Sequence, residues 1–205
     1  MPAYDATPTR NQTALQLPPG AWNSCLLAVA MAMDMGIGLS QLAIPFLAIA
    51  LGASPLQLGL VSVVWRLPYA LFCPLAGKIS DRAGRKRMVQ IAALSLVLFY
   101  LMLVRVTSLY QLFVLVPLIG LGTGVFWPPL QGWIGDIRAG TLGSAVGKFN
   151  IAWSSASLLG MLLAGFLSEI GTRMPFMISA FLAVLIALLA TLVPERPLRP
   201  RPVDS

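Results

Sequence analysis

Long apolar stretches alternate with short polar segments along most of this chain. Five stretches contain no Asp, Glu, Lys or Arg, namely residues 35–65, 88–104, 106–135, 149–168 and 174–194. A helix needs about 20 predominantly apolar residues to cross the roughly 30 Å hydrocarbon core of a bilayer. Turn-forming residues 52–55 divide the first stretch between two helices. The pattern therefore predicts six transmembrane helices, at about residues 22–51, 57–77, 88–106, 109–135, 146–170 and 174–193.

Both ends of the chain are polar. Residues 1–21 contain Pro18-Pro19-Gly20, and residues 195–205 are rich in Pro and Arg. The first twenty residues lack the basic and then apolar order of a secretory signal peptide. We therefore predict two polar tails around one six-helix domain, residues 22–194.

The composition supports a membrane protein over a soluble one. Hydrophobic residues make up 58% of the chain and charged residues 10%, whereas soluble domains are about one quarter charged. The net charge of +7 would suggest a nucleic-acid partner in a soluble protein, but here it is interpreted as loop charge that orients the helices. The expected partners are the lipid bilayer and a small solute, with no nucleic acid.

The distribution of cations predicts the orientation. With six helices, both tails and the links between helices 2 and 3 and between helices 4 and 5 lie on one side, and that side carries eleven of the 14 Lys and Arg residues. The other side has only Arg105 and Arg173, and Arg66 lies within helix 2. By the positive-inside rule the tails are cytoplasmic, in a plasma membrane or bacterial inner membrane.

The chain contains an internal repeat. A shift of 88 residues places Trp65 on Trp153, and seven of the 21 residues that follow from Trp65 are identical. The shift equates helix 2 with helix 5, and because three helices separate the copies, they are inverted across the membrane. The predicted fold is all-α, with two inverted three-helix repeats.

The segment after helix 2 carries the most specific motif. It reads Gly77-Lys-Ile-Ser-Asp81-Arg82-Ala-Gly84-Arg85-Lys86. Gly77 allows a close helix approach, Gly84 allows a turn of unusual φ, and Asp81 can accept hydrogen bonds from a helix N-terminus or from an Arg. This segment resembles the signature of the major facilitator superfamily, and every specified position is met. A basic loop alone would explain the charge but not the spaced glycines and acid.

The resemblance implies one six-helix half of a facilitator transporter. In the family, two such halves enclose a central cavity, and the acid of the motif contacts the opposite half. Carried over, Asp81 and Arg82 stabilise the outward-facing state, and Gly77, Gly84, Arg85 and Lys86 belong to the same switch. The chain ends where the loop between halves begins in the family. The second half is therefore expected from a second copy, a separate chain or a longer gene product.

Two ionisable residues are predicted to lie at similar depth inside the membrane. Asp34 is twelve residues after Trp22, and Arg66 is eleven residues before Gly77, which correspond to about 18 Å and 16 Å of helix. Such residues usually pair or face water. We expect an ion pair or one shared aqueous cavity, with either a coupling and binding role or a purely structural one.

Further cavity candidates are polar or aromatic residues within predicted helices: Gln41, Gln131 and Trp127 and, at helical spacing on helix 5, Asn150, Ser154 and Ser157. Interhelical hydrogen bonding is the alternative role for such side chains in membranes. Because the chain lacks His and a phosphate-binding loop of the Gly-rich Lys-Ser/Thr type, we expect no enzyme site, no metal site and no cofactor.

These observations predict a secondary transporter component that moves a small solute by alternating access, with proton coupling through Asp34. Two alternatives remain at this stage. The chain could be a membrane scaffold or assembly protein that keeps the half-fold without transport. It could equally be a fragment of a twelve-helix transporter.

Overall fold

The computed structural model describes residues 21–137 and 142–194, which form six helices and, within those ranges, no strand. The helices are α1 (Trp22–Ala50), α2 (Pro55–Ala83), α3 (Arg85–Val104), α4 (Leu109–Ile137), α5 (Leu142–Ile170) and α6 (Met174–Leu192). Each is long and apolar enough to cross a bilayer. The predicted all-α membrane class and the count of six are confirmed. The tails predicted for residues 1–20 and 195–205 lie outside the described residues.

The link between α2 and α3 differs from the prediction. The expected basic loop from Lys78 to Arg87 is wrong, because α2 continues to Ala83 and only Gly84 separates it from α3. A 29-residue helix is about 43 Å long, so its charged last turns extend beyond the hydrocarbon core while remaining helical. Gly84 then ends the helix with a φ of +96°, which residues with a side chain rarely adopt. The start of α5 also lies about four residues earlier than expected.

The turn between α1 and α2 follows from local sequence. Gly52 has a φ of +83°, which ends α1. Ser54 caps α2: its hydroxyl accepts from the Gln57 backbone N–H, and the Gln57 side chain accepts from the Ser54 backbone N–H at 2.8 Å. Pro55 occupies the first helical position, where the missing N–H costs nothing.

The helices pack as two related sets of three. The most extensive contacts join α2 to α4, α1 to α5, α3 to α4, α1 to α6 and α3 to α6. Exchanging α1 with α4, α2 with α5 and α3 with α6 leaves this set of contacts unchanged. Because each exchanged pair is three helices apart in an up-and-down bundle, the two members run in opposite directions. The packing therefore has the inverted repeat predicted from the 88-residue shift.

Glycines allow the two largest interfaces to form at close range. A Cβ at Gly160 on α5 would overlap the backbone of Met35 on α1, and a Cβ at Gly38 on α1 would overlap the backbone of Ser157 on α5. On α4, a Cβ at Gly120 would overlap the Trp65 carbonyl of α2. Small residues that bring backbones together are typical of helix association in membranes.

Cations cap the ends of α3 and α6 in a reciprocal manner. The Lys86 ammonium, at the start of α3, donates to the carbonyls of Thr191 and Val193 at 2.8 and 2.9 Å, at the end of α6. The Arg173 guanidinium, at the start of α6, donates to the Val106 carbonyl at 3.2 Å, just past the end of α3. Carbonyls at helix ends lack partners within the helix, so each cation satisfies groups of the other repeat.

The end of the bundle that contains Lys78 to Arg87 is called the basic end below. It also contains the start of α1, the end of α4 and the end of α6, because successive helices alternate in direction. The core between α1, α3, α4 and α6 is apolar and well buried. By contrast, only 6% of the most apolar stretch of α2 and 17% of that of α5 is buried, against 61% for α1.

Candidate functional site

A cavity of about 280 Å³ lies between α1, α2, α4 and α5. Helices α3 and α6 contribute nothing to its wall. The lining side chains are Asp34, Ile37, Gln41, Trp65, Arg66, Tyr69, Thr123, Trp127, Gln131, Phe149, Asn150, Trp153 and Ser157. Each three-helix repeat thus supplies its first two helices to the cavity.

Among the described residues, the charges on the cavity wall are on α1 and α2, within the first repeat. Asp34 is 3% exposed, and its Oδ2 has no hydrogen-bond partner in the part of the chain that the structure describes. Arg66 is exposed, and among the described residues it forms no ion pair with Asp34. Tyr69 lines the same cavity, close enough to both groups to sense their charges. The structure thus gives one shared cavity rather than the ion pair that the sequence left open.

Aromatic rings form much of the remaining wall. Trp127 on α4 contacts Phe149 on α5 edge to face, with ring centroids 6.3 Å apart. Trp127 also contacts Phe126 in the same manner at 5.5 Å. Trp65 and Trp153, which the 88-residue shift equates, both line the cavity from α2 and α5. Such rings offer apolar surface and electron-rich faces that attract cations.

Neutral polar groups complete the wall. Gln41 lies on α1, Gln131 on α4 and Asn150 on α5, and all three side chains reach the cavity. Thr123 turns its hydroxyl back to its own helix, donating to the Ile119 and Gly120 carbonyls at 3.0 and 2.9 Å. The amides are therefore the neutral groups best suited to contact a solute.

Seven of the eight residues selected from the sequence as cavity candidates line this one cavity: Asp34, Arg66, Asn150, Ser157, Gln41, Gln131 and Trp127. Ser154, the eighth, does not line it. Six further lining residues were not selected. Trp65 and Trp153 carried a usable signal, since they match in the internal repeat and lie one residue before Arg66 and three residues after Asn150. Ile37, Tyr69 and Thr123 are ordinary members of apolar helices and gave no such signal.

A second cluster joins three helices at the basic end. Arg85, the first residue of α3, contacts Asp81 of α2 at 3.3 Å and Asp136 of α4 at 2.8 Å. Gly132 leaves room for the guanidinium, because a Cβ there would lie 2.6 Å from Arg85 Nη1. The sequence predicted an Arg partner for Asp81 but did not connect Asp136 to the motif.

The other motif residues have separate surroundings. Arg82 is exposed, and Lys86 caps α6 as described above. A Cβ at Gly77 would lie 3.7 Å from Pro128 Cβ, an ordinary contact distance, so the close backbone approach expected there is not present. Gly84 does adopt the unusual φ that the motif predicts.

Two comparisons identify relatives of the chain. The chain is 29% identical to Multidrug resistance protein 1 of Bacillus subtilis over 166 residues, which are 80% of this chain and 43% of that protein. It is 27% identical to Quinolone resistance protein NorA of Staphylococcus aureus (strain Mu50 / ATCC 700699) over 155 residues, 74% of this chain and 39% of that protein. The chain therefore spans about two fifths of the length of the curated relatives it matches.

The family comparison covers most of the chain. A family model described as Major Facilitator Superfamily matches residues 26–205. That range includes all of α2 to α6, the cavity wall and the motif from Gly77 to Lys86. The matched range agrees with the six apolar helices and with the motif. The chain belongs to the major facilitator superfamily.

Proposed function

We propose that this chain forms one six-helix half of a secondary transporter that moves a small organic solute by alternating access. The cavity between α1, α2, α4 and α5 is the observation that supports this most. It combines Asp34 and Arg66 with aromatic rings and amides, inside a bundle that exposes many large apolar side chains along its helices. Ionisable residues at depth in a membrane are costly and usually mark a path for a solute or ion.

The solute belongs to the drug-like organic compounds, and the direction is out of the cell. The two relatives reported above are named for multidrug and quinolone resistance. A cavity with three tryptophans suits such compounds. Apolar aromatic surfaces bind ligands of many shapes, because their contacts require no fixed geometry of the kind that hydrogen bonds need.

A second six-helix unit completes the cavity, as a second copy, as a separate chain or as a further part of a longer gene product. Helices α2 and α5 line part of the cavity and also carry the most exposed apolar surfaces of the bundle, including Leu67 on α2 and Leu162 on α5 at 56% and 65% exposure. The relatives are more than twice as long as the part that this chain matches. Covering these surfaces would close the side of the cavity that the present helices leave open.

The basic end faces the cytoplasm of a plasma membrane or bacterial inner membrane. It carries Lys78, Arg82, Arg85, Lys86 and Arg87, whereas Arg105 and Arg173 are the cations at the opposite end among the described residues. Cytoplasmic segments close to helix ends carry an excess of Lys and Arg.

Asp34 couples transport to protons. Its carboxylate is buried and has an oxygen without a hydrogen-bond partner, so the ionised form is uncompensated inside the bundle. Binding either a proton or a cationic solute removes that cost. Competition between proton and solute for one carboxylate is a simple physical basis for exchange.

Asp81 and Arg82 form the conformational switch with the opposite half. Half of the Asp81 side chain remains exposed (51%), even though one oxygen contacts Arg85. The exposed part of Asp81 is available to a facing helix, and its release would accompany opening of the basic end. Gly84 and Arg85 fix the position of Asp81 relative to α3 and α4.

Transport in inside-out vesicles tests the proposal. Vesicles from bacterial cells that express the full chain are energised to form a proton gradient, and uptake of the fluorescent cation ethidium is measured. We expect uptake that an uncoupler abolishes and that Asp34→Asn lowers by about tenfold or more. Glu169→Gln, an exposed acid outside the cavity, is the matched control and should retain uptake. Equal uptake by the wild type and Asp34→Asn would contradict coupling through Asp34, and absence of energised uptake would contradict transport.

A further inference from the structure

The charges of the cavity are arranged for a ligand that carries two opposite charges itself. Asp34 is buried with a free carboxylate oxygen, Arg66 forms no ion pair among the described residues, and the two do not neutralise each other although they line the same space. Each charge is therefore left for an occupant to compensate. In surroundings of low dielectric constant, charge-assisted hydrogen bonds to such groups are strong.

The positions of the two charges separate them along the cavity. Asp34 is 16 residues from the end of α1 at Ala50, and Arg66 is 11 residues from the start of α2 at Pro55. A short turn joins these two helix ends. Arg66 is therefore five residues nearer to the turn than Asp34 is, which is about 7 Å along the helix axes. Tyr69 is within electrostatic range of both charges.

The part of the cavity wall that α4 and α5 form is suited to a flat aromatic body. Trp127, Phe149 and Trp153, from α4 and α5, are uncharged, and the Trp127 and Phe149 rings meet edge to face. A cavity of about 280 Å³ is near the lower end of the range for drug-sized ligands, roughly 300–1,000 Å³. The part of the cavity formed by this chain therefore has room for a compact body of about two fused rings.

We infer that the preferred ligands are compact aromatic zwitterions, with an amine that contacts Asp34, a carboxylate that contacts Arg66 and rings that pack on α4 and α5. This inference rests on the proposed function only in treating the cavity as the solute site. It goes further in assigning the two opposite charges of one ligand to α1 and α2 of the first repeat.

A matched set of ligands tests the inference without any change to the protein. The parent is 6-(aminomethyl)naphthalene-2-carboxylic acid. Its methyl ester keeps only the amine charge, its N-acetyl derivative keeps only the carboxylate, and the doubly modified compound is neutral. Binding to the full chain in lipid nanodiscs is measured by equilibrium dialysis at pH 7. We expect the zwitterion to bind at least about tenfold more tightly than either singly charged compound, with the neutral compound weakest.

Two variants then assign the charges. Asp34→Asn should weaken binding of the zwitterion and the ester by about tenfold and leave the N-acetyl derivative within about twofold. Arg66→Gln should weaken binding of the zwitterion and the N-acetyl derivative by about tenfold and leave the ester within about twofold. Glu169→Gln and Arg105→Gln remove exposed charges outside the cavity and should change nothing.

The possible results separate this inference from the proposed function. If the ester or the N-acetyl derivative binds as tightly as the zwitterion, the inference is wrong, whatever the ethidium uptake. If the zwitterion is preferred and both variants act as expected, the inference holds even where energised transport is absent, and then only the proposed function fails. Variants that lower the binding of all four compounds equally would also overturn the assignment of charges.

Discussion

The two three-helix repeats share one packing arrangement but differ in charge. At the basic end, Arg85 joins Asp81 and Asp136 in a network across three helices. At the equivalent place in the second repeat, Glu169 and Arg173 keep the same spacing, yet Arg173 donates instead to the Val106 carbonyl. The position equivalent to Asp136 is Ala48 on α1, so this second site has no second acid. The helix packing is thus common to both repeats, whereas the ionic network forms at only one of the two equivalent sites.

The cavity repeats this difference. The first repeat contributes Asp34 and Arg66, whereas the second contributes rings, amides and hydroxyls. The position equivalent to Arg66 is Ser154, which does not line the cavity. The duplicated helices therefore share one packing arrangement, whereas the side chains that face the cavity differ between the repeats.

The largest expected effect concerns the inverted orientation of the repeats. Arg82→Cys and the equivalent Ile170→Cys, both at exposed positions, are each introduced with Cys73→Ser, and a membrane-impermeant maleimide is applied to intact cells and to inside-out vesicles. We expect Ile170→Cys to react only in intact cells and Arg82→Cys only in inside-out vesicles, since the repeats run in opposite directions. Cys25 is buried and should stay unlabelled. Labelling of both positions from one side would refute the inverted arrangement.

The next effect concerns the shared framework. Gly160→Leu at the α1–α5 interface and Gly120→Leu at the α2–α4 interface should each destabilise the purified protein by about 3 kcal/mol or more, because each side chain would overlap backbone of the facing helix. The matched control is Gly59→Leu on α2, where an added Cβ meets nothing within 4 Å.

Thermal unfolding in detergent measures all three variants. Similar losses for Gly160→Leu and Gly120→Leu would show that the two equivalent interfaces contribute equally to the stability of the bundle. A loss for only one of them would break the equivalence, and a similar loss for Gly59→Leu would mean that bulk alone is responsible.

The smallest effect concerns the unequal charges. Arg85→Gln leaves Asp81 and Asp136 without their shared cation, and its side chain is only 19% exposed, so we expect a loss of about 1–2 kcal/mol. Arg173→Gln loses one bond to a carbonyl and should cost about 0.5 kcal/mol. Denaturant titration of both variants, with Arg105→Gln as control, measures the difference. Equal losses would show that the network adds nothing beyond a single helix-capping bond.

The sequence was sufficient for the class of fold because the bilayer imposes it. Apolar length fixes the number of spans, and the 88-residue match of Trp65 with Trp153 indicates the inversion. The link between α2 and α3 was not predictable in the same way. Charged residues were interpreted as a loop, whereas in the structure they lie on helix turns that extend beyond the apolar core, up to Gly84.

The cavity was predictable where a residue is costly in lipid and was missed where it is not. Asp34, Arg66 and Asn150 are conspicuous within apolar helices, and all three line the cavity. Tyr69 and Phe149 are compatible with lipid, with the core or with a cavity, so their location depends on how the helices pack. Asp136 was missed for a related reason, since its link to Arg85 joins residues 51 positions apart in the chain.

Only Gly84 separates α2 from α3, so a change in the angle between these two helices would be taken up at this residue. Arg66 is 18 residues from Gly84, about 27 Å along α2, so a tilt of about 10° would displace its guanidinium by about 5 Å. The contact between Asp81 and Arg85 lies next to Gly84 and would change far less. The same tilt would therefore move the charged wall of the cavity much more than the contacts at the basic end.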